Sequence, residues 1–288
     1  MNKILCIVGP TGTGKTARAI NEAAKTPSII VSVDSRQVYR GMDIVTGKDH
    51  PQGTTIYGID IVDPDQNCSV SVWYDSVLPI IQNSDPNLQI IVVGGTGLYV
   101  KALTEGIETM QVPINQSLRD ELATLSVQEL QSRLSALDDT KYQSMNHSDV
   151  LNSRRLTRAI EVFTFRTSHP ERAVASRTGH IGSSMIGLKY FDDSNHRSKI
   201  RARVMDRINN GAIAETKSLI KKYGKNLQSL SAIGYKSIIA FIENKLSKEE
   251  MIDEWVLGEL RYAKRQMTWF RKQEIVWYDI DAYGITKD

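Results

Sequence analysis

A glycine-rich segment near the start of the chain constrains its fold more than any other feature. It matches the pattern G-x-x-x-x-G-K-[ST] and consists of Gly9, Pro10, Thr11, Gly12, Thr13, Gly14, Lys15 and Thr16. Residues 3–8 before it are almost all apolar, as in a buried parallel strand, and residues 16–25 after it have helical spacing. Strand, loop and helix in this order direct backbone N–H groups at phosphate oxygens, so we predict a phosphate-binding site.

Two side chains of this segment add chemistry to the backbone cradle. Lys15 would place a positive charge beside the phosphates, and the Thr16 hydroxyl would be a ligand for Mg²⁺. The alternative interpretation is a glycine-rich turn that binds nothing.

Composition narrows the class of protein. The 288 residues suffice for one large domain, or for one domain with a smaller one, and 41% hydrophobic content is ordinary for a soluble globular protein. Only Cys6 and Cys68 are cysteines and they form no CxxC pair, so we expect neither a zinc knuckle nor a disulfide framework. We also expect no signal peptide and no membrane span, and therefore a cytoplasmic protein.

Charge is unevenly distributed along the chain. Residues 1–112 carry 8 Lys and Arg against 11 Asp and Glu, whereas the remainder carries 28 against 22. A mildly basic second part is compatible with a polyanionic partner but does not require one.

Further apolar runs predict a parallel sheet flanked by helices. We expect strands at 28–33, 57–61, 89–93, 185–188 and 274–280, with a helix at 70–81 bent at Pro79. The carboxyl ends of such strands line the ligand crevice. Asp34 follows the strand at 28–33, so it either lies near the phosphate loop or caps the next turn.

The strand at 89–93 ends in glycines and a threonine rather than in an acid. Hydrolytic P-loop enzymes use an acid in this region to organise Mg²⁺ and water. Gly94, Gly95 and Thr96 therefore favour transfer to an acceptor over hydrolysis.

The sequence changes character at about Pro113. Helices at 117–123, 126–137 and 149–167 follow without an intervening strand, which predicts a helical insertion at 113–182 within a core domain of 1–112 and 183–288. The basic cluster at 154–158 in the third helix is either a solvated face or an anion-binding face. We expect the polar residues 168–183 to be mobile.

Long helices dominate the second half of the core domain. We predict helices at 194–223, 230–242 and 248–272. The last one interleaves basic and aromatic residues at 261–272, which suits either stacking on single-stranded nucleic acid or a packed, dipole-balanced helix end.

Six segments together resemble one family, the tRNA dimethylallyltransferases, also called isopentenyl-tRNA transferases. They are GPTGTGKT at 9–16, DSRQVYRGMDI at 34–44, GGTGLY at 94–99, RRLTRAIEV at 154–162, AIGYK at 232–236 and YAKRQMTWF at 262–270. The resemblance implies a P-loop NTPase-like fold with a helical insertion domain that contacts tRNA. It implies transfer of the dimethylallyl group of dimethylallyl diphosphate to the exocyclic amine of the adenosine 3′ of the anticodon, in tRNAs reading codons that begin with U.

The resemblance also implies residue roles. The segment 9–16 would bind the diphosphate, or a nucleotide such as ATP, and Thr16 would help to place Mg²⁺. Thr96 would bond near the bridging oxygen, Arg203 would neutralise charge on the leaving pyrophosphate, and Asp34 would be the general base. The target base would have to leave its stack.

The tRNA contacts implied by the resemblance fall into two groups. The acceptor nucleotide would meet Asp34, Ser35, Arg36, Gln37 and Thr96. The anticodon stem and loop would meet Arg119, Arg154, Arg155, Leu156, Thr157 and Arg158. We expect a monomer that does not bind membranes.

Three positions depart from the family's pattern. Val45 stands where a glycine is usual, Leu260 replaces a common arginine, and residues 146–149 read NHSD where Asn-Asp is usual. None of these departures removes a chemical role, although Val45 puts the backbone of its loop in doubt.

Three other functions share some of these features. A P-loop kinase of a small metabolite would use the same loop and acid but leaves the basic helical half unexplained. A prenyltransferase acting on free adenine nucleotides would not need the cluster at 154–158. An NTP-dependent RNA-binding switch would be expected to have an acid after the strand at 89–93.

Overall fold

A six-stranded, entirely parallel sheet forms the centre of the larger part of the molecule. The structure, a computed structural model, describes residues 3–51, 53–170 and 183–283. The strands are β1 Ile4–Val8, β2 Ser28–Ser32, β3 Ile56–Tyr57, β4 Gln89–Gly94, β5 Ser183–Lys189 and β6 Val276–Asp279. Their order in the sheet is β3-β2-β4-β1-β5-β6, which confirms the predicted parallel α/β sheet.

Helices connect and cover these strands. Among the described residues they are α1 Lys15–Ala23, α2 Val70–Gln82, α3 Gly97–Thr104, α4 Gln116–Ala123, α5 Val127–Leu137, α6 Asp139–Ser144, α7 His147–Val150, α8 Ser153–Ser168, α9 Asp193–Asn209, α10 Ala212–Tyr223, α11 Tyr235–Ile242, α12 Lys248–Phe270 and α13 Ile280–Tyr283. Within these described residues, no helix combines the length and the apolar character needed to cross a membrane.

The chain divides into two compact units. Unit 1 comprises residues 1–105 and 179–288, and unit 2 comprises residues 106–178. The boundaries that we placed at 113 and 182 from the sequence lie a few residues further along the chain than these. Most of the segment 168–183, for which we expected mobility, lies outside the described residues.

The core of unit 1 explains why its strands read as continuous apolar runs. Ile7, Ile30 and Ile91 from three adjacent strands are buried together with Ala19 of α1 and Leu188 of β5. Helices cover the sheet, so side chains on both faces of a strand lose contact with water.

Glycines account for the main errors in the helix predictions. The predicted single helix at 194–223 is wrong, because α9 ends before Gly211, whose φ of 102° interrupts the helical backbone before α10. The helix predicted from residue 230 starts instead at Tyr235, after Gly234 with a φ of 94°. Helix α3 was not predicted, since it begins inside the glycine-rich turn at Gly97.

Unit 2 is a helical unit with a core of its own. Its described residues form helices and no strand, and five apolar side chains are buried together, from Leu122, Leu130, Leu134, Leu156 and Ile160. Leucines and isoleucines at helical spacing supply this core, as the sequence pattern indicated.

A buried carboxylate joins two arginines inside unit 2. Glu161 is 1% exposed and accepts hydrogen bonds from Arg119 at 3.0 and 2.9 Å, from the Asn115 N–H at 2.7 Å and from Arg158. Arg158 also donates to two backbone carbonyls within residues 109–112. Burial alone would raise the pKa of Glu161, but these hydrogen bonds more than offset it, so its pKa lies below the usual value.

We expect Glu161→Gln to destabilise unit 2. The amide cannot neutralise both arginines, and a hydrogen bond between charged groups contributes about 1.5–3 kcal/mol, so we expect a loss of about 2 kcal/mol. Thermal unfolding at neutral pH measures it. The loss should shrink as pH falls through the lowered pKa, since protonation removes the charge from the wild type as well.

Glu121→Gln is the matched control in the same unit. Glu121 also pairs with an arginine, Arg133, but both side chains are exposed, and exposed pairs contribute little. Equal destabilisation by the two substitutions would contradict the role given to Glu161.

Candidate active site

A cavity of about 920 Å³ opens in unit 1 at the carboxyl ends of the strands. The phosphate loop, the residues after β2 and β4, and side chains of α9 and α12 all line it. This is the edge at which parallel sheets bind ligands, because strand ends and helix N-termini converge there.

Glycines give the phosphate loop its backbone conformation. Gly9, Gly12 and Gly14 have φ values of 144°, 82° and 72°, which glycine adopts most readily. A Cβ on Gly9 would lie 2.2 Å from the carbonyl oxygen of Leu188 in β5, so this position also requires close backbone approach. Helix α1 starts at Lys15, directly after the loop, and its first residues line the cavity. The positive end of the helix dipole is therefore at the cavity.

The Lys15 ammonium folds back onto the loop. Its Nζ donates to the carbonyl oxygen of Pro10 at 2.6 Å. Burial, and then the charge of Arg203, lower the pKa of Lys15 to about 7, while Asp34 and Glu259 act in the opposite direction. An anion in the cavity would favour the charged form of this lysine.

Asp34 both lines the cavity and caps the turn after β2, so the two roles that the sequence left open are compatible. It follows β2 and lines the cavity, and its Oδ1 accepts a hydrogen bond from the Arg36 N–H at 2.8 Å. The neighbouring Ser35 N–H donates to Thr96 Oγ1 at 3.2 Å, which joins the turn after β2 to the turn after β4. Arg36 also lines the cavity, and Gln37 bonds to the Gly47 carbonyl at 3.1 Å.

Two arginines of α9 reach the cavity, one of them missed in the sequence analysis. Arg203 and Arg207 lie four residues apart, on one face of the helix, and both line the cavity. Arg207 is buried and pairs with Glu259 of α12 at 3.2 Å. Gly47 has a φ of 63°, which favours glycine, and a Cβ there would lie 2.3 Å from the Arg207 guanidinium. The four-residue spacing was the signal that could have identified Arg207.

The loop at 40–48 is held by a carboxylate from α10. Glu215 accepts from the backbone N–H groups of Asp43, Ile44 and Val45 at 2.9, 2.7 and 3.1 Å, and the Tyr235 hydroxyl donates to it at 2.6 Å. Positive φ values outside glycine occur in the described chain only at Asp60 and Asn244. Val45 therefore needs no glycine-like backbone, and its departure from the family's pattern does not strain the loop.

One acidic cluster resembles a metal site, but a lysine occupies it. Ligand atoms of Asp43, His50 and Asp60 lie within 4.8 Å of one another. The Lys48 ammonium lies between the two carboxylates, at 2.7 and 2.5 Å, and its side chain is fully buried. A positive charge already neutralises these acids, so the cluster does not fit a divalent cation.

The residues expected to meet RNA in unit 2 are not equivalent. Leu156 is fully buried in the core of unit 2, so its side chain serves packing, and the contact with tRNA that the resemblance implied for this residue stays a prediction. Arg119 and Arg158 are held by Glu161, whereas Arg155 is 60% exposed and pairs with Asp149. Arg154 is exposed and Thr157 is half-buried.

The basic and aromatic end of α12 divides between the cavity and the packed interior, and its stacking on nucleic acid stays a prediction. Tyr262, Arg265 and Gln266 line the cavity. Trp269 and Phe270 pack instead, since a Cβ on Gly97 would lie 2.1 Å from the Trp269 ring and Phe270 is fully buried. The helix is therefore a wall of the cavity as well as a packed element.

Comparison with known proteins identifies the family to which this chain belongs. The IPP transferase family model matches residues 37–273, and the isopentenyl transferase model matches residues 2–59. The tRNA dimethylallyltransferase of Finegoldia magna is 36% identical over 99% of this chain and 94% of its own length. The full-length tRNA isopentenylpyrophosphate transferase of Bacillus halodurans superposes with a TM-score of 0.69 at 32% identity, over 97% of this chain and 90% of that one.

A eukaryotic dimethylallyltransferase acting on tRNA shares the fold, with a TM-score of 0.78 at 22% identity over 97% of this chain and 74% of that one. The fold and the phosphate loop define a P-loop NTPase-like transferase. The chain belongs to the IPP transferase family, which confirms the resemblance found in the sequence.

We expect pyrophosphate binding at about pH 8 to take up a proton at Lys15, because its pKa in the free protein is about 7 and the anion favours the ammonium form. Uptake should fade as pH decreases below that pKa, where Lys15 is already charged. Calorimetry in buffers of different ionisation enthalpy measures it. Lys15→Arg is the control, since arginine stays protonated and the ligand's own ionisation cancels in the difference. Equal uptake by the two proteins would contradict the assignment.

Proposed function

We propose that this protein transfers the dimethylallyl group of dimethylallyl diphosphate to the exocyclic amine of the adenosine 3′ of the anticodon, in tRNAs reading codons that begin with U, and releases diphosphate. The observation that carries the proposal is that one cavity is lined by the phosphate loop, by the two arginines of α9 and by the Asp34 carboxylate after β2. The names of its relatives support tRNA as the acceptor.

The phosphate loop and the cations would stabilise the leaving group. As the bond from carbon to the bridging oxygen breaks, negative charge develops on diphosphate. The loop N–H groups, Lys15 and Arg203 line the cavity and would meet that charge, with the Lys15 ammonium exchanging the Pro10 carbonyl for the diphosphate. Thr96 would donate near the bridging oxygen, from the turn next to the loop.

Magnesium fits the remaining donors of the phosphate loop. The Thr16 hydroxyl lines the cavity at the first turn of α1, and hydroxyl and phosphate oxygens are ligands that Mg²⁺ prefers. When bound there, the ion would supply additional positive charge to the diphosphate.

Asp34 would accept the proton of the amine. The exocyclic amine of adenine is a weak nucleophile because its lone pair is delocalised into the ring, so it must lose a proton as the carbon–nitrogen bond forms. Asp34 lines the cavity, and the hydrogen bond to its Oδ1 from the Arg36 N–H fixes the carboxylate in place.

The alternatives differ in their acceptor. Turnover of dimethylallyl diphosphate with an anticodon stem-loop, compared with AMP as acceptor and with ATP as donor, separates tRNA modification from prenylation of free nucleotides and from a kinase reaction. Consumption that requires the stem-loop supports the proposal, whereas equal turnover with AMP would contradict it.

We expect Asp34→Asn to lower the single-turnover rate about 10²–10⁴-fold with saturating tRNA, because the amide keeps the shape and loses the basicity. The affinities for tRNA and diphosphate should change much less. Asp49→Asn is the control, since it removes an equal charge from the rim of the same cavity. An unchanged rate in Asp34→Asn would show that Asp34 only caps its turn.

In unit 2, the Arg155 side chain is 60% exposed, which suits a phosphate contact. Arg155→Ala should weaken tRNA binding and lower the slope of log affinity against log salt by about one unit. Arg133→Ala removes another ion-paired arginine from the same unit and should leave that slope unchanged. A slope that does not differ between Arg155→Ala and wild type would make this a solvated face.

A further inference from the structure

One side chain joins two neighbouring turns that line the cavity, the phosphate loop after β1 and the turn at 95–97 after β4. Gln266 of α12 is buried, and both ends of its amide are engaged. Its Oε1 accepts from the Thr11 N–H of the phosphate loop at 2.9 Å, and its Nε2 donates to the Gly95 carbonyl after β4 at 3.0 Å.

The backbone hydrogen bonds between β1 and β4 do not extend to these two turns. The ladder between β1 and β4 ends with the pair Val8 and Gly94. The residues that follow on each side, including Thr11 and Thr96, have no strand pairing to set their separation. A side-chain bridge across the gap would therefore fix the distance between them.

The glycines of the turn at 95–97, after β4, leave room for Gln266 and Trp269. A Cβ on Gly95 would lie 1.8 Å from Gln266 Nε2, and a Cβ on Gly97 would lie 2.1 Å from the Trp269 ring. Thr96 stands between these two glycines, and its hydroxyl accepts from the Ser35 N–H beside Asp34. The contacts thus run from the phosphate loop through Gln266 to the turn that carries Thr96.

From this geometry we propose that Gln266 is a positioning residue, which holds the phosphate loop in register with the turn that carries Thr96. The inference rests on the proposed function. Only an amide of this length both accepts from Thr11 and donates to Gly95. A glutamate can accept but meets the Gly95 carbonyl with a second acceptor, and a methionine of similar length can do neither.

Pyrophosphate binding tests the bridge without any transfer reaction. Gln266→Met should leave the Thr11 N–H unpaired and the loop less preorganised, which we expect to weaken pyrophosphate binding about tenfold, the effect of one or two hydrogen bonds. Gln266→Glu, which is nearly isosteric, should weaken it as well and guards against a variant that fails to fold.

The control is Gln131→Glu in unit 2. Gln131 also donates its amide to a backbone carbonyl, that of Val150 at 2.7 Å, but it lies outside the cavity. This substitution should leave pyrophosphate affinity unchanged. Wild-type affinity in a folded Gln266→Met protein would overturn the inference even if the transferase reaction is as proposed.

A double-mutant cycle with Thr96→Ala tests the coupling. If Gln266 acts by placing Thr96, the loss of single-turnover rate in the double variant should be smaller than the product of the two single losses. Once one residue is replaced, replacing the other has less left to disturb. Multiplicative losses would overturn the positioning role. Absence of transfer by the wild-type protein would refute the proposed function, while the pyrophosphate result would still decide whether Gln266 holds the loop.

Discussion

The parallel placement of β1 between β4 and β5 is the constraint on which the site depends. Parallel strands end at the same edge, so the loops that follow β1, β2 and β4 come together without any long connection. The register that pairs Val8 with Gly94 sets the phosphate loop beside the turn of Thr96. Asp34 joins them because β2 lies on the other side of β4.

Helices from the second half of unit 1 then hold these loops in place. His196 Nε2 of α9 lies 2.8 Å from the Thr11 carbonyl, and Gln266 of α12 bonds to the Thr11 N–H. The buried pair of Arg207 and Glu259 joins α9 to α12. Removing one partner of such a pair would leave an uncompensated buried charge, so the pair keeps α9 and α12 together. Because both helices also contact Thr11, they support the phosphate loop jointly.

This support also creates the electrostatic character of the cavity. Burial and Arg203 lower the pKa of Lys15 to about 7, so the surroundings of Lys15 disfavour its positive charge. Under the proposed function, an anionic diphosphate would offset that repulsion on binding. Cations held in advance at the position of a developing negative charge are the usual source of electrostatic catalysis.

The arginines of unit 2 show that a basic cluster need not serve one purpose. Arg119 and Arg158 share the buried Glu161 and hold helices α4 and α8 together, whereas Arg155 is largely exposed. Arg155 and Arg158 both lie in the segment 154–158 and look alike in the sequence. Their partners separate them, since Arg158 pairs with the buried Glu161 and Arg155 pairs with Asp149 and stays largely exposed.

The sequence by itself determined the strand, loop and helix of the phosphate site and the position of Asp34 at a strand end. These are local features, set by apolar runs, glycine spacing and the length of a strand. Tertiary structure alone decided the pairing of Arg207 and the roles of Glu161 and Gln266. Thr11 and Gln266 are 255 residues apart, and no local pattern encodes a contact that forms only when α12 packs against residues 95–97.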